Sequence, residues 1–500
     1  VTRATLLALV AMALAVFVIA NDVTALSVAL PSIERDFNTD VSSVQWVINA
    51  YALVFGVLIV TGGRLADLLG RRRIFLLGAV VFVGFSLLGA AAPSAPWLIA
   101  CRALMGIGGA MMWPAILGMT YGILPEEKAG LAGGLIIGAA GFGNAAGPLL
   151  GGALTDALSW RWILVLNLPV AAFACLVTWR AVGESRAEEA ERRMDYAGIA
   201  TLSFGLVALL VALDQVTNWG WSDPRVLALF GGCALLLAGC AAAERHAGRR
   251  ALVPPDVIGN RDFAFACLAT LLMSATFFAA LMYLPQFMQK ILGWSPLEAG
   301  AGFLPMMATF AAVSFAAGSL YERLGAKVVL SAGAACLMAG GFLVSLVNGA
   351  SGWGALVPGM AVLGLGIGLF YSSVTTAAVT ALDPSRASLA GGIVYMFQIA
   401  GGSIGLGLTT TVFTTAATDV VQRGAPGLPA RDAEAVRGVL AGTGTAEDLS
   451  GRAAALAHDA FAAGIQWGFR LVAALALAGL VVTVLAVGGR LRARVAQATP

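Results

Sequence analysis

Charge and histidine are scarce in this sequence, and their scarcity excludes most of what a soluble enzyme does. Only 11% of the 500 residues are charged, roughly half the share expected of a soluble domain. The two histidines, His246 and His458, lie in polar segments between apolar runs. No CxxC occurs, and all six cysteines (Cys101, Cys175, Cys233, Cys240, Cys267, Cys336) fall inside hydrophobic runs. The pattern therefore offers no disulfide framework, no metal-ligand cluster and no Ser/His/Asp set. A net charge of +3, spread over loops, builds no basic face for nucleic acid.

What is abundant is apolar sequence: 59% of residues are hydrophobic and the mean hydropathy is +0.88. Runs of about 20 apolar residues recur along the chain, each long enough to cross a bilayer as a helix. Fourteen spans are predicted, near 5–29, 44–63, 74–92, 97–121, 130–152, 162–180, 197–214, 225–243, 263–290, 297–318, 327–347, 353–379, 388–412 and 467–488. The first run is longer than the h-region of a leader and lacks an A-x-A site, so it is expected to be a span. The polar stretch 413–466 is expected to be a long loop, flexible in its first half, with a short interfacial helix over 453–466.

The loops divide by charge. One set carries Arg64, Arg71–Arg73, Lys128, Arg180, Arg186, Arg192, Arg193, Arg245, Arg249, Arg250, Arg261, Arg323, Lys327 and Arg386, joined by Arg3, Arg490, Arg492 and Arg494 near the ends. The opposite short loops hold only Arg35, Arg161, Arg225 and Lys290. Positive residues stay in the cytoplasm, which predicts both termini inside. The basic tail 491–500 is expected to meet anionic lipid headgroups.

Two turns on the arginine-rich side repeat each other. "GGRLADLLGRRR" begins at Gly62 and "AGSLYERLGAKV" at Ala317. Gly63 then aligns with Gly318, Asp67 with Glu322 and Gly70 with Gly325. Each turn follows the second span of a half. The predicted fold is all-α: a bundle of six spans over 1–182, two additional spans over 183–260, and a second six-span bundle over 261–490 that includes the outer segment 413–466. Repeated bundles around a central cavity are a transporter architecture.

Two ions interrupt the apolar runs. Asp22 lies nine residues before Pro31, roughly 13 Å from the outer end of its helix, and Arg102 lies roughly 9 Å inside the outer end of the fourth. An isolated ion of either kind costs about 2.5–3.5 kcal/mol at the bilayer centre on insertion scales. Both are expected to face the interior, where a wet cavity or mutual pairing relieves that cost. Two readings of Asp22 stand: a carboxylate that exchanges a proton, or a structural acid bonded to helix backbone or Thr24. Arg102 likewise either pairs inside or snorkels to the interface.

The motifs carry a resemblance. "GGRLADLLGRRR" is similar to the loop signature of the major facilitator superfamily, and "GFGNAAGPLLGG" (141–152) resembles its antiporter signature in helix five. "NDVTALSVALP", "SWRWILVLNLP" and "YLPQFMQKILGWSPLEAGAGFLP" resemble segments of the fourteen-helix drug:proton antiporters, the multidrug and quaternary-ammonium exporters. The sequence departs from that pattern at Ala25, Leu26 and Ser27 in helix one, and at Ser319 and Ala326 in the second loop. The resemblance implies proton coupling at Asp22 and Arg102. Gly63, Asp67, Gly70, Arg71, Arg72 and Glu322 would form a conformational latch, against the plainer reading that the arginines only set topology. Gly143, Gly147, Pro148, Gly151 and Gly152 would form a gate against proton leak, against the plainer reading that small residues simply pack.

Trp113, Phe142, Phe370, Tyr371, Tyr395, Met396, Phe397 and Gln398 are candidates for contact with a bulky amphipathic or cationic ligand. The expected partners are protons, an amphipathic small molecule and membrane lipids, with no cofactor and no metal. The expected protein is a monomeric exporter in a bacterial cytoplasmic membrane rather than an enzyme. A metabolite importer of the same fold is the alternative, with a non-transporting sensor as a remoter one.

Overall fold

The structure is a computed structural model that describes residues 3–39, 41–186, 195–247, 252–253, 257, 259–348, 350–424, 428–441, 449 and 451–486. The predicted basic tail lies outside them. Among the described residues there is no strand, as lipid demands of any chain that cannot close a barrel: a helix satisfies its backbone groups within itself. Among the described residues, fourteen helices are long and apolar enough to cross a membrane.

The first half comprises α1 (Arg3–Phe37), α2 (Val41–Leu69), α3 (Arg71–Ala90), α4 (Ala95–Ile123), α5 (Ala129–Ala157) and α6 (Arg161–Ala181). α7 (Tyr196–Trp219) and α8 (Pro224–Ala247) follow as a pair packed on each other. The second half comprises α9 (Arg261–Lys290), the short α10 (Pro296–Gly302), α11 (Leu304–Leu324), α12 (Ala326–Val344), α13 (Trp353–Thr380), α14 (Ala387–Gly424), α15 (Ala430–Ala441) and α16 (Gly451–Ala486).

Within the first half α1 packs on α5 and α6, α2 on α4, and α3 on α4 and α6. The second half repeats the scheme, with α9 on α14 and α16, α11 on α13, and α12 on α13 and α16. The halves meet along two main seams, α2 with α14 and α5 with α11, and α7 lies against both α2 and α14. The repeated turns start equivalent helices: Gly70 precedes α3 at φ +115° and Gly325 precedes α12 at φ +84°. Both conformations are strained for a residue with a Cβ, so glycine is required at each.

Two expectations need correction. The tenth span is not one helix over 297–318. Ser295 and Glu298 form a reciprocal capping box that starts α10, and Pro305, with no N–H to give, opens the separate α11 after a break at Phe303. The outer stretch 413–466 is also more helical than its polarity suggests. α14 continues to Gly424, and the interfacial helix expected over 453–466 is the start of α16, continuous with the last span. Phe413, Ala417 and Val421 recur every fourth residue and extend the buried stripe beyond the apolar run. They share a buried cluster with Leu456, Ala457, Ala460 and Phe461 of α16, which packs on α14, and the Phe413 and Phe461 rings lie 5.0 Å apart.

Candidate functional site

α1 and α4 bring Asp22 and Arg102 together. Both side chains are 0% exposed, and Arg102 Nη1 donates to Asp22 Oδ2. Burial excludes the snorkelling arrangement of Arg102. Its Nε donates to the Val47 carbonyl at 2.9 Å, and its guanidinium lies 4.6 Å from the centre of the Tyr51 ring. Thr24 bonds the carbonyls of Ala20 and Asn21 in its own helix.

Sequence reasoning missed the third member. Asn167 of α6 donates from Nδ2 to Asp22 Oδ1 at 2.9 Å and to Ser86 Oγ at 3.0 Å. The Ser86 hydroxyl in turn donates to the Leu164 carbonyl at 2.8 Å. The available signal was a lone amide inside the apolar run "RWILVLNLPV", since a polar side chain within a span is expensive unless partnered.

α5 is narrow on two faces. Gly143, Gly147 and Gly151 press on α1 around Asp22: a methyl at Gly143 would stand 2.7 Å from the Phe17 carbonyl oxygen, and those at Gly147 and Gly151 would strike Thr24 and the Ala25 backbone. Pro148 and Gly152 meet Gly300 and Leu297 of α10. The other face forms the seam with α11, where Gly130 abuts Gly318 and Gly134 approaches the Ser314 carbonyl. One helix thus holds the acid-bearing helix of its own half and the wall of the other half, because small residues let backbones approach in lipid.

At the arginine-rich end the seams are bonded. Asp67, 1% exposed, accepts from Arg71 Nε at 3.0 Å and from the Leu389 backbone N–H at 2.9 Å, at the start of α14. Arg71 also donates to the carbonyls of Gly118 at 3.1 Å and, across the seam, Pro384 at 2.8 Å. Glu322 accepts from the Leu131 N–H at 3.3 Å, at the start of α5. A carboxylate facing a helix start meets both unpaired N–H groups and the positive end of the dipole. Gly63 lies close under the Ser388 carbonyl, where a methyl would come within 2.7 Å. Among the described residues Arg72 makes no bond across the seam. It holds its own half, donating to the Val182 carbonyl at 3.0 Å and, from its backbone, to Glu184 at 3.1 Å.

The aromatic candidates separate. Trp113 of α4 and Tyr395 of α14 have ring centres 4.6 Å apart across the halves, and Phe55 of α2 adds a ring 5.4 Å from Tyr395. Phe55 stacks on Tyr51 at 5.6 Å, so rings run from Arg102 to the other half. Met396, Phe397 and Gln398 follow Tyr395 and are half-buried. Tyr371 belongs to the packing of its own half: it is 2% exposed, beside Phe370, and donates to Ser274 Oγ at 3.1 Å. Phe142 is exposed and lies against Phe17.

Two repeated bundles of six spans, bonded to each other at the arginine-rich end, with an ion pair inside one half and aromatic rings between them, define a secondary transporter rather than an enzyme. The chain belongs to the Major Facilitator Superfamily, whose family model matches residues 12–406. It is similar to the puromycin resistance protein pur8 of Streptomyces alboniger, 35% identical over 79% of each chain. It is also similar to the tetracenomycin C resistance and export protein of Streptomyces glaucescens, 28% identical over 94% of this chain and 89% of that one. The multidrug resistance protein Stp of Mycobacterium tuberculosis is 34% identical over 82% and 76%. Among solved structures, the human organic anion transporter MFSD10 (TETRAN) matches with a TM-score of 0.63 over 96% of this chain and all of its own, at 14% identity. That likeness carries the fold.

Proposed function

We propose that this transporter exports amphipathic small molecules of the antibiotic and drug class in exchange for protons. The observation that carries the reading is the fully buried Asp22, held by Arg102 and Asn167 on a helix that α5 presses into place. An ionised acid so enclosed is stable only while its partners hold it. Protonation releases Arg102, and the released guanidinium disturbs the Tyr51–Phe55–Tyr395 rings toward the other half. Substrate enters the aromatic region of Trp113 and Tyr395, with Phe397 and Gln398 beside it. The names of the similar proteins, which speak of puromycin, tetracenomycin C and multidrug resistance, support the substrate class.

In this reading the arginine-rich end and both termini are cytoplasmic, in a bacterial inner membrane. Asp67, Arg71 and Glu322 latch that end closed, and the glycine face of α5 bars protons from leaking past α1. The test is a substrate screen in proteoliposomes with an internal pH-sensitive dye. Substrate movement should accelerate with an imposed proton gradient and carry protons the opposite way. Asp22→Asn should abolish the proton flux while the protein still folds. Transport indifferent to the gradient would sink proton coupling, and flux in the same direction as protons would mark an importer.

A further inference from the structure

Between the two seams of the arginine-rich end lies a contact that the repeat does not duplicate. The hydroxyls of Tyr121 in α4 and Thr376 in α13 stand 3.0 Å apart. Thr376 gives its own hydrogen to the Ser372 carbonyl at 2.9 Å, so Tyr121 is the donor and Thr376 the acceptor. α4 packs on α2 and α14, and α13 on α5 and α11. A bond from α4 to α13 therefore runs from one seam to the other, across the middle of this end. The crossings at Leu389, Pro384 and Leu131 each use a backbone group on one side, whereas here two side chains meet. The register that aligns Lys128 with Arg386 also aligns Tyr121 with Val379 and Gly118 with Thr376. Neither counterpart has a hydroxyl, so this bond has no second copy. Gly133 of α5 lies under it. A methyl there would strike Thr376 Oγ1 and stand 2.8 Å from the Ser372 carbonyl oxygen, both in the other half. The glycine lets α5 approach closely enough for the bond to form. The Tyr121 ring itself packs in its own half, with Leu124 and Ala132.

We propose that Tyr121 is a gating residue: its bond to Thr376 bars the centre of the arginine-rich end, and the halves part there only when that bond breaks. The two carboxylate joints hold the sides of this end, and Tyr121 holds the middle, where a substrate has to pass. The bond exists only while the halves are together. Removing it therefore weakens the bonded arrangement and leaves the packing of each half intact, which shifts the population toward the arrangement open at this end. One neutral hydrogen bond moves such an equilibrium about two- to ten-fold. Gly133 works in the same sense by space: a side chain there is tolerated once α5 and α13 separate. The inference rests on the chain being a transporter whose halves part at this end, and neither on proton coupling nor on the direction of transport.

The test is maleimide labelling of the purified full-length protein in detergent, where the reagent reaches both ends, with mass spectrometry to locate the label. A cysteine introduced by Ser388→Cys, at a fully buried position of this end, reports opening. Native Cys267, inside the second half at 3% exposure, reports loosening of a half. Tyr121→Phe keeps the ring and removes the bond. It should speed labelling at position 388 about two- to ten-fold and leave Cys267 unchanged. Thr376→Val should do the same, and Thr376→Ser, which keeps the hydroxyl, should label as wild type. Tyr121→Phe combined with Thr376→Val should label no faster than either alone, since one bond is lost only once. Gly133→Ala presses chiefly on the other half and should open the end further than Tyr121→Phe. Labelling at position 388 unmoved by Tyr121→Phe, a double variant whose effect is the product of the singles, or a rise at Cys267 in step with position 388 would overturn the proposal. Should these shifts appear while transport ignores a proton gradient, Tyr121 stands as the gate and proton coupling does not.

Discussion

Leu131 and Leu389 occupy the same place in the two halves. Each opens the fifth span of its half, and each gives its backbone N–H to a carboxylate at the end of the second span of the other half: Leu131 to Glu322, Leu389 to Asp67. The sequences around them repeat as well, "KAGLAGG" from Lys128 and "RASLAGG" from Arg386. Gly63 under Ser388 is matched by Gly318 against Gly130. The arginine-rich end is therefore closed by two copies of one joint, related by the internal repeat.

The two copies are not equally strong. Asp67 is buried, bonded at 2.9 Å and supported by Arg71, whereas Glu322 is exposed and bonded at 3.3 Å. A buried hydrogen bond to a charged group contributes about 1.5–3 kcal/mol, and an exposed one up to about 1 kcal/mol. Asp67→Asn should open the seam at this end roughly ten-fold or more, read as labelling of a cysteine introduced at Ser388. Glu322→Gln should change labelling of the equivalent site only slightly. Equal effects would contradict the asymmetry.

Crowding along α5 predicts an order of melting temperatures. A methyl at Gly151 would stand 2.8 Å from the Ala25 Cα, and backbone cannot yield as a side chain can. Gly151→Ala should destabilise by about 1–3 kcal/mol. Gly152→Ala meets only the tip of Leu297 at 3.0 Å, and Gly84→Ala meets nothing within 4 Å. The expected order in detergent is Gly84→Ala near wild type, then Gly152→Ala, then Gly151→Ala lowest.

The buried ion pair predicts a coupled response. Arg102→Met strands Asp22 in an apolar interior, a loss of about 3–5 kcal/mol for a broken buried pair. Adding Asp22→Asn removes the stranded charge and should recover part of the melting temperature. Neither variant should exchange protons. A double variant that melts at the sum of the two single losses would show that the residues are energetically independent.

At the opposite end, Arg161 donates to Asp36 and holds its carboxyl below the ordinary value of 3.8, with the Trp160 N–H adding to the effect. A lowered folded-state value stabilises the fold above 3.8 and loses that contribution as pH falls through the lowered value. The melting-temperature difference between wild type and Arg161→Met should therefore stay constant from neutral pH down to about pH 4 and shrink below it. A difference that already narrows between pH 7 and pH 5 would assign it to another group.

The spans were legible because membrane insertion is a local property: about 20 apolar residues suffice whatever their neighbours. Helix ends were less so. The predicted 327–347 lies close to the observed Ala326–Val344, but α14 outruns its predicted end by 12 residues, because its continuation is stabilised by packing on α16 rather than by hydropathy. The glycine turns at Gly70 and Gly325 were readable from their repeat. Asn167 was passed over since a single amide in an apolar run has no periodicity to mark it.

By itself the sequence determined the fourteen spans, the segregation of arginine to one end, the repeat of halves, and the similar depths of Asp22 and Arg102. These follow from composition and from the fixed rise of a helix. Only the tertiary structure decided that Asp22 and Arg102 share a bond, that Asn167 completes the site, and that Arg72 serves its own half while Arg71 crosses the seam. Those outcomes depend on the rotation of each helix about its axis. That rotation is set by contacts between residues as far apart as Asp67 and Leu389, where small side chains let one backbone reach the start of another helix.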